Sequence, residues 1–516
     1  MFRRVTSLIA LCVVALCAAP VAAEVKLPAI FGDHMVLQQN VPLTVWGWAD
    51  PGEKVTVTVA GQKKETAAGD NGKWRVKLDA LKAGGEPVEL VAQGKDNTVT
   101  LKDVLVGEVW LCSGQSNMEW SLKQSNNAAE EISAANYPKI RLFTVQKSTP
   151  DKPLEDIKRS GSKWDVCSPE TAADFSGVGY FFGRELHKEL DVPVGLIDSS
   201  WGGTPAEAWA AWDAMEKVAE LSPILDRARG ANDNYSARLA AWTESAEKAK
   251  AEGKPAPRKP AQPDNDPNRA ASLYNGMIAP IVPIGIRGAI WYQGESNAGR
   301  ADQYRKLLPT MIQSWRDSWN QDGPAREFPF LIVSLANFQD PKPEPGDSDW
   351  AELREAQTMA ANLPNNGQAL AIDLADPENP KDIHPRNKQD VGKRLALVAL
   401  GKTYQKPVVY EGPTYDSMKV ENGKVRIKFK SAEGMKTKDG EPVKGFAIAG
   451  ENRRWLWAEG KIDGDSVVLS SEKVSEPVAV RYAWAHNPPT NLYNAAGLPA
   501  VPFRTDDWPG VTAGKK

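Results

Sequence analysis

Four histidines in 516 residues make histidine the place to begin: His34, His187, His384 and His486. A serine hydroxyl is a poor nucleophile at neutral pH unless a base removes its proton. Imidazole is the side chain that titrates in the useful range. His187 falls inside an apparent helix, and His34 and His486 fall in β-rich flanks. His384 follows the last strand of an alternating strand–helix region, so it is the best-placed base. Two serines compete for it. Cys112-Ser-Gly-Gln-Ser-Asn117 and Tyr292-Gln-Gly-Glu-Ser-Asn297 each put a serine after a glycine beyond a strand, at Ser116 and Ser296. Neither is the Gly-x-Ser-x-Gly elbow, because Met118 and Ala298 stand in the last position. Spacing alone leaves the two nearly equal.

Asp382, in Lys381-Asp-Ile-His-Pro385, is the nearest carboxylate that could orient the imidazole. Asp373 and Asp376 are alternatives. An oxyanion needs backbone N–H groups or amides aimed at it. Gly202 and Gly203, in Ser199-Ser-Trp-Gly-Gly-Thr-Pro205, allow close backbone approach, and Gln293 and Asn297 bring side-chain amides to another strand end. Serine, glycine pair, amide and Asp-His all fall at strand ends, where active residues of open α/β sheets gather.

The elements that must hold these groups read as three parts. Residues 24–104 cluster β-formers between glycine-rich turns, in Pro42–Trp48, Lys54–Val59 and Lys73–Leu78. Residues 105–406 alternate strands with helices, which predicts an α/β domain with a parallel sheet covered on both faces, a three-layer arrangement. The strands are expected at 108–112, 192–198, 288–292, 328–335 and 368–373, and the helices at 175–190, 303–319, 350–363 and 387–400. A helical, charged insertion with a proline-rich end interrupts this part at about 205–270. Residues 407–516 turn β again, with strands expected at 424–429, 445–449, 466–469 and 478–482. Both flanks are expected to be β-sandwich-like.

Residues 1–23 have the form of a secretory signal: Arg3 and Arg4, an apolar stretch from Leu8 to Ala19, and small residues before Glu24. Export to the periplasm or the extracellular space is the expectation. The formal charge is -3, and losing two arginines and no acids would make it -5, so no basic field favours nucleic acid. No later stretch is long and apolar enough to span a membrane. Only Cys112 and Cys167 remain after residue 23, equally readable as a bridge or as two buried thiols. No clustered His/Cys/Asp/Glu set of metal-ligand spacing is found, so neither a metal nor a cofactor is expected. Eighteen tryptophans allow a sugar-binding module as a rival reading, and Glu207 with Glu295 allows a glycosidase by residue type alone.

Four blocks together carry a family resemblance. Val109-Trp-Leu-Cys-Ser-Gly-Gln-Ser-Asn-Met118, Trp201-Gly-Gly-Thr-Pro-Ala-Glu-Ala-Trp209, Trp291-Tyr-Gln-Gly-Glu-Ser-Asn297 and Asp382-Ile-His-Pro-Arg-Asn-Lys388, in this order, resemble the sialate O-acetylesterases of the SGNH-type hydrolases. The resemblance runs from about Leu27 to Asp506. It implies an SGNH-like catalytic domain and an O-acetylated carbohydrate as substrate, either sialic acid or a plant or algal polysaccharide. It implies Ser116 as nucleophile, His384 as base, and an oxyanion hole from Gly203 and Gln293, with Gly202 and Asn297 in reserve. The wider SGNH pattern is Asp-x-x-His. Here Lys381 stands three before His384, and the acid assigned is Asp382.

Overall fold

The computed structural model of the protein describes residues 24–157, 160–260 and 265–516. The expected signal, residues 1–23, lies outside them.

The first seven strands are β1 (Val36–Gln38), β2 (Leu43–Trp48), β3 (Lys54–Val59), β4 (Gln62–Ala67), β5 (Lys73–Leu78), β6 (Gly84–Gln93) and β7 (Thr98–Gly114). β2 pairs with β5, while β3, β4, β6, β1 and the first half of β7 form a second layer. Alternation in sequence becomes alternation in burial: in Lys73–Leu78 the even positions Trp74, Val76 and Leu78 are buried and the lysines and arginine between them are exposed. β7 is seventeen residues long and runs unbroken across the boundary expected at residue 104. Its first half closes the amino-terminal β layers, and its second half is a central strand of the main sheet.

That sheet adds β8 (Tyr137–Thr144), β9 (Trp164–Cys167), β10 (Val194–Ser200), β11 (Gly288–Tyr292), β12 (Phe330–Val333) and β13 (Asn366–Ala369), in the order β13-β12-β11-β7-β10-β8-β9. Five of the neighbouring pairs are parallel. β9 pairs antiparallel with β8, so the sheet is mixed rather than purely parallel, a correction to the expectation. The reason lies in the connection: a parallel neighbour needs a crossover, whereas β9 returns along the sheet edge. Neither β8 nor β9 was among the expected strands. In Tyr137-Pro-Lys-Ile-Arg-Leu-Phe-Thr144 a proline and two cations break up the apolar residues, so no continuous apolar run marks β8, which lies one strand in from the edge.

Both faces of the sheet are covered. On β7, Val109 and Leu111 enter one apolar core, while Trp110 and Cys112 enter the other. The first core is closed by α4 (Ala301–Trp319) and α5 (Asp349–Ala361), the second by α2 (Gly177–Leu190) and α6 (Lys388–Val398), with α1 (Ser116–Glu119) at the sheet's upper edge and α3 (Ser222–Ala251) in the expected insertion. Strands buried on both faces read as unbroken apolar runs, as in Gly288–Tyr292. Tryptophan does much of this packing. Trp209, Trp291 and Trp315 meet edge to face, with ring centroids about 6 Å apart, contacts worth roughly 0.5–1.5 kcal/mol each beyond burial. These rings are fully enclosed and unavailable to sugar.

In the insertion, α3 anchors only its start, through Ile224, Leu225 and Ala228. Beyond it the proline-rich stretch to residue 260 is exposed coil. After residue 407, two four-stranded antiparallel sheets enclose a third core. Val425, Ile427 and Phe429 face Phe446, Ile448, Val480 and Tyr482 there. Cys112 and Cys167 are both free and buried. Burial drives both thiols up, that of Cys167 to about 12.

Candidate active site

The order of connection reverses at β7. The chain leaves it for β8, returns through β10, and then crosses to β11 on the other side. Such a switch point opens a crevice at the carboxyl ends of the strands. Gly114 ends β7 there with φ +143°, and a Cβ on it would sit 2.1 Å from the Tyr292 carbonyl oxygen. Only glycine lets the turn press against β11, where the Gln115 N–H donates to that same carbonyl at 3.0 Å. Ser116 opens α1 immediately afterwards. As a first-turn residue it has an N–H without an intrahelical partner.

The Ser116 hydroxyl lies 2.8 Å from His384 Nε2. An accepting Nε2 places the ring proton on Nδ1, toward Asp382. The Asp382 carboxylate, however, accepts the His384 backbone N–H at 2.9 Å, and the same oxygen is 3.5 Å from Nδ1. The Trp120 indole stacks on the imidazole, centroids 5.0 Å apart and planes within 17°. Burial, and next the nearby Lys388 charge, hold His384 below its ordinary pKa, with Asp382 opposing them. The imidazole is therefore neutral, as a base must be, at pH 7.

Ser296 is held differently. Its hydroxyl donates to the Gly203 carbonyl at 3.0 Å. The other histidines are also engaged elsewhere: His34 with Asp103, His187 with the Val192 carbonyl, and His486 with Asp349 and Ser348 at the start of α5.

The glycine pair lies directly over the nucleophile, a Cβ on Gly202 falling 3.2 Å from the Ser116 Cβ. The Gly202 N–H is taken by Glu119 Oε2 at 2.6 Å, and the other Glu119 oxygen holds Lys147 at 2.5 Å. Gly203 has φ +78° and nothing near its missing Cβ. Among the described residues, its N–H and that of Ser116 have no acceptor. The two amides lie below, inside the protein. Gln293 Nε2 donates to the Thr204 carbonyl at 3.2 Å and to Asn297 Oδ1 at 2.7 Å, and its oxygen accepts from Tyr304. Asn297 Oδ1 also accepts the Ala206 N–H, and its Nδ2 donates to Glu207. Both amides thus tie the glycine loop to the end of β11. Glu207 further binds Arg300, and Glu295 binds Asn117, so neither carboxylate is set as half of a glycosidase pair.

Residues that the sequence did not single out complete the arrangement: Trp120 against the imidazole, Glu119 on the glycine loop, and Asn117 and Lys388 beneath. Their types are ordinary for exposed turns and helix starts, and no spacing marks them. Among the described residues no group of three or more His, Cys, Asp or Glu is placed to hold a metal ion, and no helix is long and apolar enough to cross a membrane.

A hydroxyl bonded to a neutral imidazole, beside unpaired N–H groups at the switch point of an α/β sheet, has the parts for acyl transfer at an ester. The family of carbohydrate esterases described as sialic acid-specific acetylesterases matches residues 106–249 and 265–401, and the chain belongs to it. The human sialate O-acetylesterase is 32% identical over 526 residues, covering 94% of each chain. The mouse sialate O-acetylesterase is 31% identical over 524 residues, covering 91% of this chain and 92% of its own. A crystal structure of a carbohydrate acetylesterase from Xanthomonas citri superposes with a TM-score of 0.79 at 37% identity, covering 94% of this chain and all of that one.

Proposed function

We propose that this protein hydrolyses acetyl esters of carbohydrate hydroxyls, with Ser116 as nucleophile and His384 as general base in an SGNH-type catalytic domain. The observation that carries the reading is the 2.8 Å contact between Ser116 Oγ and His384 Nε2 at the sheet's switch point. Family membership supports the acetyl ester, and the names of the human and mouse relatives favour O-acetylated sialic acid over acetylated plant or algal polysaccharide.

Ser116 Oγ attacks the acetyl carbonyl carbon while Nε2 takes its proton. The carbonyl oxygen becomes an oxyanion that accepts from the Ser116 and Gly203 N–H groups. Collapse breaks the bond to the sugar oxygen, which receives the proton from Nε2 and leaves as the hydroxyl. Water, deprotonated by the same nitrogen, then attacks the acetyl-serine; the bond between Ser116 Oγ and the acyl carbon breaks, Oγ regains the proton from Nε2, and acetate departs. Asp382 steadies the imidazolium. Gln293, expected as a third oxyanion donor, serves on this geometry to fix the glycine loop together with Asn297, since both of its amide hydrogens are engaged. Residues 1–23 are read as an export signal. Recovery of the protein outside the cytoplasm with its amino terminus at Glu24 tests this, and retention of the segment contradicts it.

The deciding experiment measures acetate release from acetylated sialosides and polysaccharides by the wild type, Ser116→Ala and Ser296→Ala. Ser116→Ala abolishes release and Ser296→Ala retains it. The reverse pattern refutes the site, and glycan binding without turnover by the wild type would make the protein a carbohydrate-binding module instead.

A further inference from the structure

A buried polar chain lies under the Ser116–His384 contact and takes no part in the steps above. Asn117, next to the nucleophile, is its centre. Its Nδ2 donates to the Ile383 carbonyl at 3.0 Å, one residue before His384, and to Glu295 Oε1 at 2.6 Å. Its Oδ1 accepts from Lys388 Nζ at 2.6 Å. One amide thus joins three segments: the turn after β7, the histidine loop, and the turn after β11. The Lys388 side chain has no solvent exposure. Its ammonium lies 5.6 Å from the Trp120 ring centre and 5.4 Å from that of Tyr292, so two aromatic faces and one amide oxygen enclose it. Trp120 is also the ring stacked on His384.

We propose that Lys388, Asn117 and Glu295 form a buried positioning unit that locks the His384 loop onto the Ser116 turn and holds a positive charge behind the imidazole. The unit rests on the reading of Ser116 and His384 given above and deepens it. An ammonium and a carboxylate taken out of water are costly to bury, and leaving either one alone costs more. Here a single amide bridges them. Burial lowers Lys388 to about 7 and raises Glu295, while each charge favours the other. The charged groups facing His384 are Lys388 from α6 and Asp382 from its own loop, and they act in opposite directions. From α1, Glu119 is turned to Gly202 and Lys147. From the β11 turn, Glu295 reaches the site only through Asn117. None of the three positioning residues need touch substrate, so their loss should act on kcat rather than KM.

The test is the pH profile of kcat/KM on a chromogenic acetyl ester for the wild type, Lys388→Arg, Lys388→Met and the double variant Lys388→Met/Glu295→Gln, with Ser116→Ala as control. The double variant leaves no unpaired buried charge. Lys388→Met and the double variant shift the acidic limb to higher pH, because the charge that disfavours imidazolium is gone. Their kcat falls, by up to about 10²-fold for a displaced base, with KM near that of the wild type. Lys388→Arg keeps the limb in place. A limb that stays put in a folded Lys388→Met or double variant overturns the inference. Failure of the double variant to fold counts against it too, since the lysine would then support the fold rather than the base. An active Ser116→Ala instead removes the site reading on which the inference rests.

Discussion

The contact between Asp382 and His384 yields a prediction with a definite size. In a serine triad with a buried acid, replacing that acid by its amide lowers kcat by about 10⁴. Here the carboxylate is 3.5 Å from Nδ1 and its side chain is 37% exposed. Coulomb's law at this separation gives about 1 kcal/mol in water and about 5 kcal/mol at an effective dielectric of 20. Exposure draws the value toward the lower end, so about 1–3 kcal/mol of imidazolium stabilisation is at stake. That corresponds to roughly a ten- to hundredfold effect on kcat. Asp382→Asn retains an oxygen able to accept the His384 backbone N–H, so the loop keeps its shape. The variant is assayed by initial rates on a chromogenic acetyl ester at pH 8, with circular dichroism to establish folding. A hundredfold loss or less is the expected result. A 10⁴-fold loss in a folded variant would refute the reasoning, because Asp382 would then act as a closed, dry triad acid.

Two pH effects follow from other groups. His384 is held below its ordinary pKa of about 6.5. The acidic limb of the wild-type kcat/KM should therefore fall below that value, and a midpoint at or above 6.5 would contradict the enclosure by Trp120 and Lys388. Asp198, buried in β10 with a hydrogen bond from Ser200 at 2.6 Å, is raised by burial to about 7. An acid raised on folding contributes stability that is complete below its unfolded pKa, about 3.9, and is lost as pH rises through the folded value. The loss is at most about 4 kcal/mol over three pH units. In thermal melts, Asp198→Asn should flatten Tm between pH 4 and 7 and raise it above the wild type at pH 8; parallel curves would show that Asp198 does not titrate there.

The fold was legible where the hydrophobic period was strong. The four carboxyl-terminal strands that were expected begin and end within a residue of their positions, and Lys424–Lys430 shows the reason, burying Val425, Ile427 and Phe429 while the residues between them face outward; Thr414–Glu421 and Glu459–Asp463 were not expected. The central strands were legible as apolar runs but not in their lengths. β7 was expected as a five-residue strand at 108–112. It is seventeen residues long because Thr98–Leu101 pairs with β6 before the chain enters the main sheet. Pairing of that kind depends on residues far away in sequence, which no local period records.

Why spacing could not separate Ser116 from Ser296 is now a matter of geometry. β7 and β11 are adjacent and parallel, and Gly114 is in register with Tyr292. Two neighbouring strands therefore end in similar glycine turns, and each presents a serine to the same crevice. What distinguishes the serines is their partners. Ser116 meets an imidazole delivered from 268 residues away, and Ser296 meets the Gly203 carbonyl. Scarcity of histidine made His384 readable, since only one of four stood after a sheet strand. Nothing comparable marked Lys388. A lysine at the start of a helix is ordinarily solvated, and this one is enclosed only because α6 packs beside Trp120, which follows α1, and Tyr292, which ends β11. Residue type and spacing thus reveal the groups that could do chemistry. The groups that hold them acquire their character from burial, and burial here is decided by three segments meeting at Asn117.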